Sequence, residues 1–288
     1  MTPGMSGKTL IQVLGPTAVG KTDYAIRLAT RYSSPVISCD SRQIFKEMRI
    51  GTAPPSEEQL RQVRHYFIFS HSVVSYYSAG LYEVEAMELL TQLFKDHDTL
   101  VMAGGSGLYA DALCYGLDDF PPADQELRRK LTDRALKEGV APLAEELRHV
   151  DPESWATIDL SNRQRVVRAL EVTLSTGRKF SSYKSNPHKA RPFEIRRICL
   201  TLPREELYRR IDLRAEAMFE AGLVDEVRGL AQYRDMPALR TVGYREVFDY
   251  LDGHISLDEA LALVQRNTRR YAKRQITWFA SIPEKIAM

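Results

Sequence analysis

Gly15-Pro16-Thr17-Ala18-Val19-Gly20-Lys21-Thr22 satisfies G-x-x-x-x-G-K-[ST] at every fixed position. Its flanks fix its setting. Thr9-Leu10-Ile11-Gln12-Val13-Leu14 is an apolar run that favours a strand. Ala25, Leu28 and Ala29 follow at helical spacing, with Asp23 and Arg27 on the other side. Strand, glycine loop and helix together form the setting in which such a loop cradles phosphates. The glycines let backbone N–H groups turn toward an anion, and the helix N-terminus adds partial positive charge. Lys21 can neutralise phosphate oxygens, and the Thr22 hydroxyl can ligate Mg²⁺. Residues 15–22 are therefore expected to hold a di- or triphosphate. Upstream, Ser6-Gly7-Lys8-Thr9 also contains G-K-T, but it precedes the strand and is expected to belong to a disordered N-terminal tail.

The rest of the chain continues the alternation. Residues 9–14, 35–39 and 99–103 read as short buried strands, separated by helical segments around 21–32, 56–65 and 79–97. Such alternation predicts an α/β fold with a P-loop NTPase-like parallel sheet core. A further strand is expected over Glu194–Leu202, and helices over 203–235 and 256–280. Between them, residues 118–191 open on Phe120-Pro121-Pro122 and are rich in Ala, Leu and Glu at helical spacing. They are expected to form a helical insertion domain, with 1–117 and 192–288 as the core and C-terminal helices.

Composition narrows the class. With 44% hydrophobic and 27% charged residues, the chain resembles an ordinary soluble globular protein. No run reaches membrane-spanning length, and residues 1–8 lack a signal-peptide core. A cytoplasmic location without membrane association is the expectation. Cys39, Cys114 and Cys199 are odd in number and far apart, which suits buried reduced thiols. The net charge of +2 is uninformative, but its distribution is not. Between Leu160 and Arg197 lie ten Lys or Arg residues against Glu171 and Glu194 alone. Arg266, Arg269, Arg270, Lys273 and Arg274 form a second basic cluster. Such stripes suit a polyanion or a solvated helix face.

A phosphate loop alone is compatible with a kinase, a switch GTPase, an ATPase or a transferase. Motor and switch enzymes end an apolar strand in an acid that manages metal. Here Thr99-Leu100-Val101-Met102-Ala103 runs instead into Gly104-Gly105-Ser106-Gly107-Leu108-Tyr109. The acid lies elsewhere, in Asp40-Ser41-Arg42-Gln43 after Pro35–Cys39. Carboxyl ends of parallel strands share one rim, so Asp40 is expected beside the loop. There it can serve as a Mg²⁺ ligand, a general base or a helix N-cap.

These motifs, taken in order, carry a resemblance. After the loop come Asp40-Ser41-Arg42-Gln43-Ile44-Phe45, Gly104 to Tyr109, and Arg165-Val166-Val167-Arg168-Ala169-Leu170-Glu171-Val172. Arg210-Ile211-Asp212-Leu213-Arg214, Gly222 to Val227, Val242-Gly243-Tyr244-Arg245 and Ala272 to Phe279 follow. The set resembles the bacterial tRNA dimethylallyltransferases, also called tRNA isopentenyltransferases, over nearly the whole chain. Phe45 stands where the family usually has Tyr, Ser106 where it has Thr, and Ser161-Asn162-Arg163 where Pro-Asn-Asp is common.

The resemblance implies transfer of a dimethylallyl group from its diphosphate to the exocyclic amine of adenosine 37, beside the tRNA anticodon. The loop would then hold a prenyl diphosphate in place of ATP. Lys21, Mg²⁺ near Thr22, and Arg210 or Arg214 would stabilise the leaving diphosphate, with Thr17 donating to the bridging oxygen. Asp40 would accept the amine proton. The target base must leave its stack. Asp40, Ser41, Arg42, Gln43 and Ser106 would line its entrance. Gln164, Arg165, Val166, Val167 and Arg168, with Arg240, Thr241, Val242, Gly243, Tyr244 and Arg245, would hold the anticodon stem-loop. His65 would order the site or serve structure, and Trp278 is expected in the core. A monomer is expected. The alternative to the transferase function is a nucleotide-dependent small-molecule kinase on the same phosphate-loop core.

Overall fold

The computed structural model describes residues 7–184 and 188–288. Six strands form one sheet: β1 (Thr9–Leu14), β2 (Val36–Ser38), β3 (His65–Tyr66), β4 (Thr99–Ala103), β5 (Glu194–Thr201) and β6 (Glu284–Ala287). Their spatial order is β3-β2-β4-β1-β5-β6, and every pairing is parallel. β1 is thus central, with Leu10 opposite Leu100 on one side and Ile195 on the other. A strand flanked on both sides reads as a continuous apolar run, which is why residues 9–14 do not alternate. The exception is Gln12, fully buried, whose Nε2 donates to the Ala110 carbonyl at 3.1 Å.

Twelve α-helices are found among the described residues. In the first half of the chain they are α1 (Lys21–Arg31), α2 (Glu57–Gln62), α3 (Ala79–Leu93) and α4 (Gly107–Tyr115). Four more follow: α5 (Gln125–Lys137), α6 (Ala141–Val150), α7 (Pro152–Thr157) and α8 (Arg163–Thr176). The last four are α9 (Arg204–Glu220), α10 (Leu223–Gly229), α11 (Tyr244–Leu251) and α12 (Leu257–Trp278). One buried cluster joins Ile11, Val13 and Ile198 of the sheet to Ala25, Leu207 and Ala272 of α1, α9 and α12.

Several sequence expectations change in detail. The helix expected over 203–235 breaks at Gly222, whose φ of 96° begins α10 as a new helix. The two edge strands, β3 and β6, are too short to leave a period-2 pattern. The G-K-T decoy is not all tail. Lys8 pairs with Asp98 at 2.7 Å, and Thr9 opens β1, while residues 1–6 lie outside the described residues.

The chain divides into two compact units. One runs up to Tyr115 and resumes over Ala190–Met288; the other is Gly116–Lys189. The change-over falls two residues before the expected 118 and 191 at each end. Arg191 explains the later boundary: its guanidinium pairs with Glu83 at 2.8 Å and donates to the Ala112 and Leu113 carbonyls. The second unit has its own core, with Leu131, Leu143, Leu147, Val166 and Leu170 packed together. Residues 185–187, in the expected polar connection, lie outside the described residues. Among the described residues no helix is long and apolar enough to cross a membrane.

Candidate active site

The carboxyl ends of β1, β2 and β4 bring three loops together, the usual ligand position in an open parallel sheet. After β1 the phosphate loop curls through a left-handed residue, Ala18 (φ 66°), and through Gly15 (φ 142°). A Cβ on Gly15 would lie 2.7 Å from the Leu200 carbonyl of β5, so only glycine lets the loop leave the sheet here. After β2 comes Asp40, and after β4 come Gly104 and Gly105. All three loops line a cavity of about 370 Å³, together with Lys21, Thr22 and Arg214. A second cavity of about 200 Å³ shares Thr17, Asp40, Thr52, Arg214 and Tyr271 with the first and extends to Thr241, Val242 and Gly243.

The cationic end is well defined. Lys21 Nζ donates to the Gly15 and Pro16 carbonyls at 3.1 and 2.7 Å, so it lies within the loop it closes. Burial pulls its pKa down to about 8; Arg214 adds to the fall and Asp40 opposes it. The Arg214 guanidinium donates to the Thr17 hydroxyl, and burial lowers it to about 10. Lys21 and Arg214, both lowered by desolvation, make this end of the cavity electropositive even with Asp40 within reach of each. Arg210 also lines the cavity, but its side chain is 41% exposed and tied to Glu206 at 2.7 Å. Of the two arginines, Arg214 is the one fixed on the loop.

Asp40 combines two of its sequence readings. Its Oδ1 accepts the Arg42 and Gln43 amides at 2.9 and 3.2 Å, which is capping geometry. It nevertheless lines both cavities, within electrostatic reach of Lys21 and Arg214. Ser106, buried, accepts the Ser41 amide at 2.9 Å and donates to the Ser41 hydroxyl at 3.0 Å. Arg42 lies against Tyr109, Asp40 and Tyr271, and burial lowers its pKa. Gln43 Nε2 donates to the Thr52 and Ala53 carbonyls at 3.2 and 2.9 Å.

Thr22 and Asp40 offer oxygen donors in one cavity, and no group of three His, Cys, Asp or Glu that would cage a metal is found among the described residues. That donor set fits Mg²⁺, which keeps several waters and takes one or two protein oxygens plus substrate phosphates.

Two site residues escaped the sequence reading. Gln275 of α12, only 4% exposed, accepts the Thr17 amide at 2.8 Å and donates to the Gly105 carbonyl at 2.8 Å. Tyr271, one turn earlier, lines both cavities, and burial pushes its hydroxyl up to about 12. The available signal was a glutamine on the core side of an amphipathic helix. His65 also lines the larger cavity; its Nδ1 is bonded to the Val63 carbonyl at 2.8 Å, and its Nε2 is buried without a partner. Trp278 is not core: it is 49% exposed, with Nε1 donating to Asp111 at 2.7 Å.

The residues expected to hold RNA divide sharply. In the second unit, Val166 and Val167 are 0% and 4% exposed within the helical core. Exposing either side chain to RNA would cost about 1.5–3 kcal/mol, so they serve packing. Arg168 pairs with buried Glu171 at 2.5 Å and donates to the Pro121 carbonyl. Gln164 and Arg165 are exposed, and with Asn162 and Lys184 they line a surface groove of that unit. In the first unit, Tyr244 is wholly buried, Gly243 is buried, Arg240 is half-buried and Arg245 is exposed. The basic stripe is also smaller than it reads. Lys189, Arg191, Arg196 and Arg197 pair with Asp119, Glu83, Glu284 and Asp111.

A family profile described as IPP transferase matches residues 43–282. The chain belongs to this family. It is 46% identical over 271 residues to tRNA dimethylallyltransferase 1 of Bacteroides thetaiotaomicron, covering 94% of this chain and 88% of the relative. It is 49% identical over 271 residues to tRNA dimethylallyltransferase 2 of Porphyromonas gingivalis, covering 94% and 90%. The crystal structure of full-length tRNA isopentenylpyrophosphate transferase from Bacillus halodurans superposes with a TM-score of 0.71 at 34% identity, covering 98% of this chain and 89% of that one. A eukaryotic dimethylallyltransferase acting on tRNA shares the fold, with a TM-score of 0.80 at 23% identity over 97% of this chain and 74% of that one. The IPP transferase family member described here therefore has the α/β phosphate-loop core expected from its sequence.

Proposed function

We infer that this chain is a transferase that moves a dimethylallyl group from dimethylallyl diphosphate to the exocyclic amine of adenosine 37 in tRNA. The observation that carries the reading is the joint lining of one cavity by Lys21, Arg214 and Asp40, in a chain whose relatives are named for this reaction. The amine nitrogen forms a bond to the allylic carbon as the carbon–oxygen bond to diphosphate breaks. Charge then builds on the leaving diphosphate, and Lys21, Arg214 and the loop amides are pre-oriented to receive it. Thr17, held by Arg214 and Gln275, presents its hydroxyl at the bridging oxygen. Asp40 takes the proton lost by the amine, and its capping bonds to Arg42 and Gln43 hold the carboxylate still for that task. Mg²⁺, with Thr22 and Asp40 as oxygen donors, would neutralise diphosphate charge when bound. The smaller cavity, reaching Thr241 to Gly243, suits a base turned out of its stack. Arg165, Gln164 and Arg245 are the exposed members that remain for the anticodon stem-loop.

A monomer carries every group this reaction uses. Three buried free cysteines suit a reducing cytoplasm. No observation favours the small-molecule kinase. Competition binding tests the reading: dimethylallyl diphosphate should displace a labelled prenyl diphosphate from the protein, and ATP should not. Equal displacement by ATP, with hydrolysis, contradicts it.

A further inference from the structure

In two of the motifs noted in the sequence, Gly222 to Val227 and Val242 to Arg245, half-buried Glu226 and buried Tyr244 line neither cavity. The first cavity wall nevertheless depends on them. Glu226, in the first turn of α10, turns its carboxylate onto three consecutive backbone amides. Oε2 accepts Arg49 N at 2.8 Å and Ile50 N at 2.7 Å; Oε1 accepts Gly51 N at 3.0 Å. Oε1 also accepts the Tyr244 hydroxyl at 2.6 Å. Successive amides converging on one anion form a backbone nest, and charge-assisted bonds of this kind are the strong ones. Gly51 permits the approach: a Cβ there would lie 2.6 Å from the Tyr244 ring and 2.9 Å from Leu223.

The residues that follow form the cavity wall. Thr52 and Ala53 line both cavities, and Ala53 is held left-handed at φ 46° with its amide donating to Ile50. Their carbonyls receive both bonds of the Gln43 amide nitrogen, and the Gln43 backbone N–H donates to the Asp40 carboxylate. A continuous set of hydrogen bonds thus runs from Glu226 and Tyr244, through residues 49–53 and Gln43, to Asp40. We propose that Glu226, oriented by Tyr244, is a positioning residue that sets the Thr52–Ala53 wall and thereby the Asp40 carboxylate. This assignment rests on the prenyl-transfer reading, but the bond network itself does not.

The test uses the full chain and two readouts. Glu226→Gln keeps the size of the side chain but puts an NH₂ where one carboxylate oxygen accepts amides. Hydrogen exchange at residues 49–53 should quicken, while exchange in β1 and β4 stays as in the parent. In single-turnover transfer, the chemical rate should fall about tenfold to hundredfold, the scale expected when a reacting group is displaced by a fraction of an ångström to an ångström. The KM for dimethylallyl diphosphate should change less than about threefold, because Lys21 and Arg214 take their hydrogen bonds from the phosphate loop and none from this network. Tyr244→Phe should act in the same direction and combine with Glu226→Gln less than additively. Asp225→Asn, at the exposed neighbouring position, should leave the rate alone. Quickened exchange with an unchanged transfer rate would overturn the positioning role. Unchanged exchange at residues 49–53 would overturn the network whatever the enzyme's substrate. An equal loss in rate and in prenyl diphosphate affinity would mark Glu226 as a merely structural residue.

Discussion

Gln275 accepts the Thr17 amide at 2.8 Å and, through the other end of the same amide group, donates to the Gly105 carbonyl at 2.8 Å. One side chain from the last long helix therefore sets the distance between the phosphate loop and the loop after β4. Its bond to Thr17 also fixes which way that residue's hydroxyl, already held by Arg214, can face. Gln275→Leu removes both bonds and leaves a buried amide and carbonyl unpaired, at about 1–3 kcal/mol each. Gln275→Glu keeps an acceptor for Thr17 but cannot donate to Gly105. Turnover should fall in both variants, with Glu the milder. Steady-state transfer assays together with thermal melts check this; equal activity in Gln275→Leu would remove the clamp from the account.

The arginines differ in exposure, and so should their variants. Arg214 is half-buried and donates to the Thr17 hydroxyl, whereas Arg210 is tied to Glu206 at the cavity edge. Arg214→Ala should lower kcat by about 10²–10³-fold, the range for losing one preorganised donor to developing charge. Arg210→Ala should cost less than about tenfold, as for an exposed ion pair. The reverse order of effects contradicts the assignment.

Lys21 gives the account a pH dependence. Its ordinary value of 10.5 falls to about 8 because burial disfavours the ammonium. The ammonium is the form that meets diphosphate, so binding is fully supported below pH 8 and weakens as the proton leaves above it. The profile of kcat/KM for the prenyl diphosphate reports the free enzyme and should bend downward near pH 8, by about tenfold per pH unit. Lys21→Met should lower the whole profile and abolish the bend. Linkage has the opposite sign for folding: the unfolded chain holds more protons between pH 8 and 10.5, so this residue favours the fold as pH rises through that window.

In the helical unit, Arg165 and Arg168 should separate. Arg165→Ala should weaken tRNA binding and reduce the log–log salt slope by about one, as for one lost phosphate contact. Arg168→Ala should act on stability instead. Glu171 is fully buried and keeps Arg128 and the Asp124 amide, so losing one partner should cost about 1–3 kcal/mol. Filter binding across a salt series and denaturant titration distinguish the two. A flattened slope in Arg168→Ala at parental stability would reverse the roles.

The loop, the central strands and Asp40 were legible because local pattern determines them: glycine spacing, apolar runs and a strand-end acid. What lay beyond the sequence was long-range partnership. Arg165 and Arg168 look alike in the chain; only the burial of Glu171 and the position of Pro121 commit one of them to the fold. Tyr244 sits among residues expected to touch RNA, yet its hydroxyl is spent on Glu226, 18 positions away. Gln275 bonds to a residue 258 positions distant, a separation at which no periodicity speaks. β6 has four residues, too few to show alternation.

The most direct test of the central claim is the position of a transferred label. The protein is incubated with unmodified tRNA and dimethylallyl diphosphate labelled in the allyl group, with Mg²⁺, and the RNA is then digested to nucleosides. Label is expected on the exocyclic amine of adenosine 37 alone, with diphosphate released in equal amount and with transfer strongly reduced in Asp40→Asn that still binds tRNA. Label absent from tRNA, or undiminished transfer by Asp40→Asn, would contradict it.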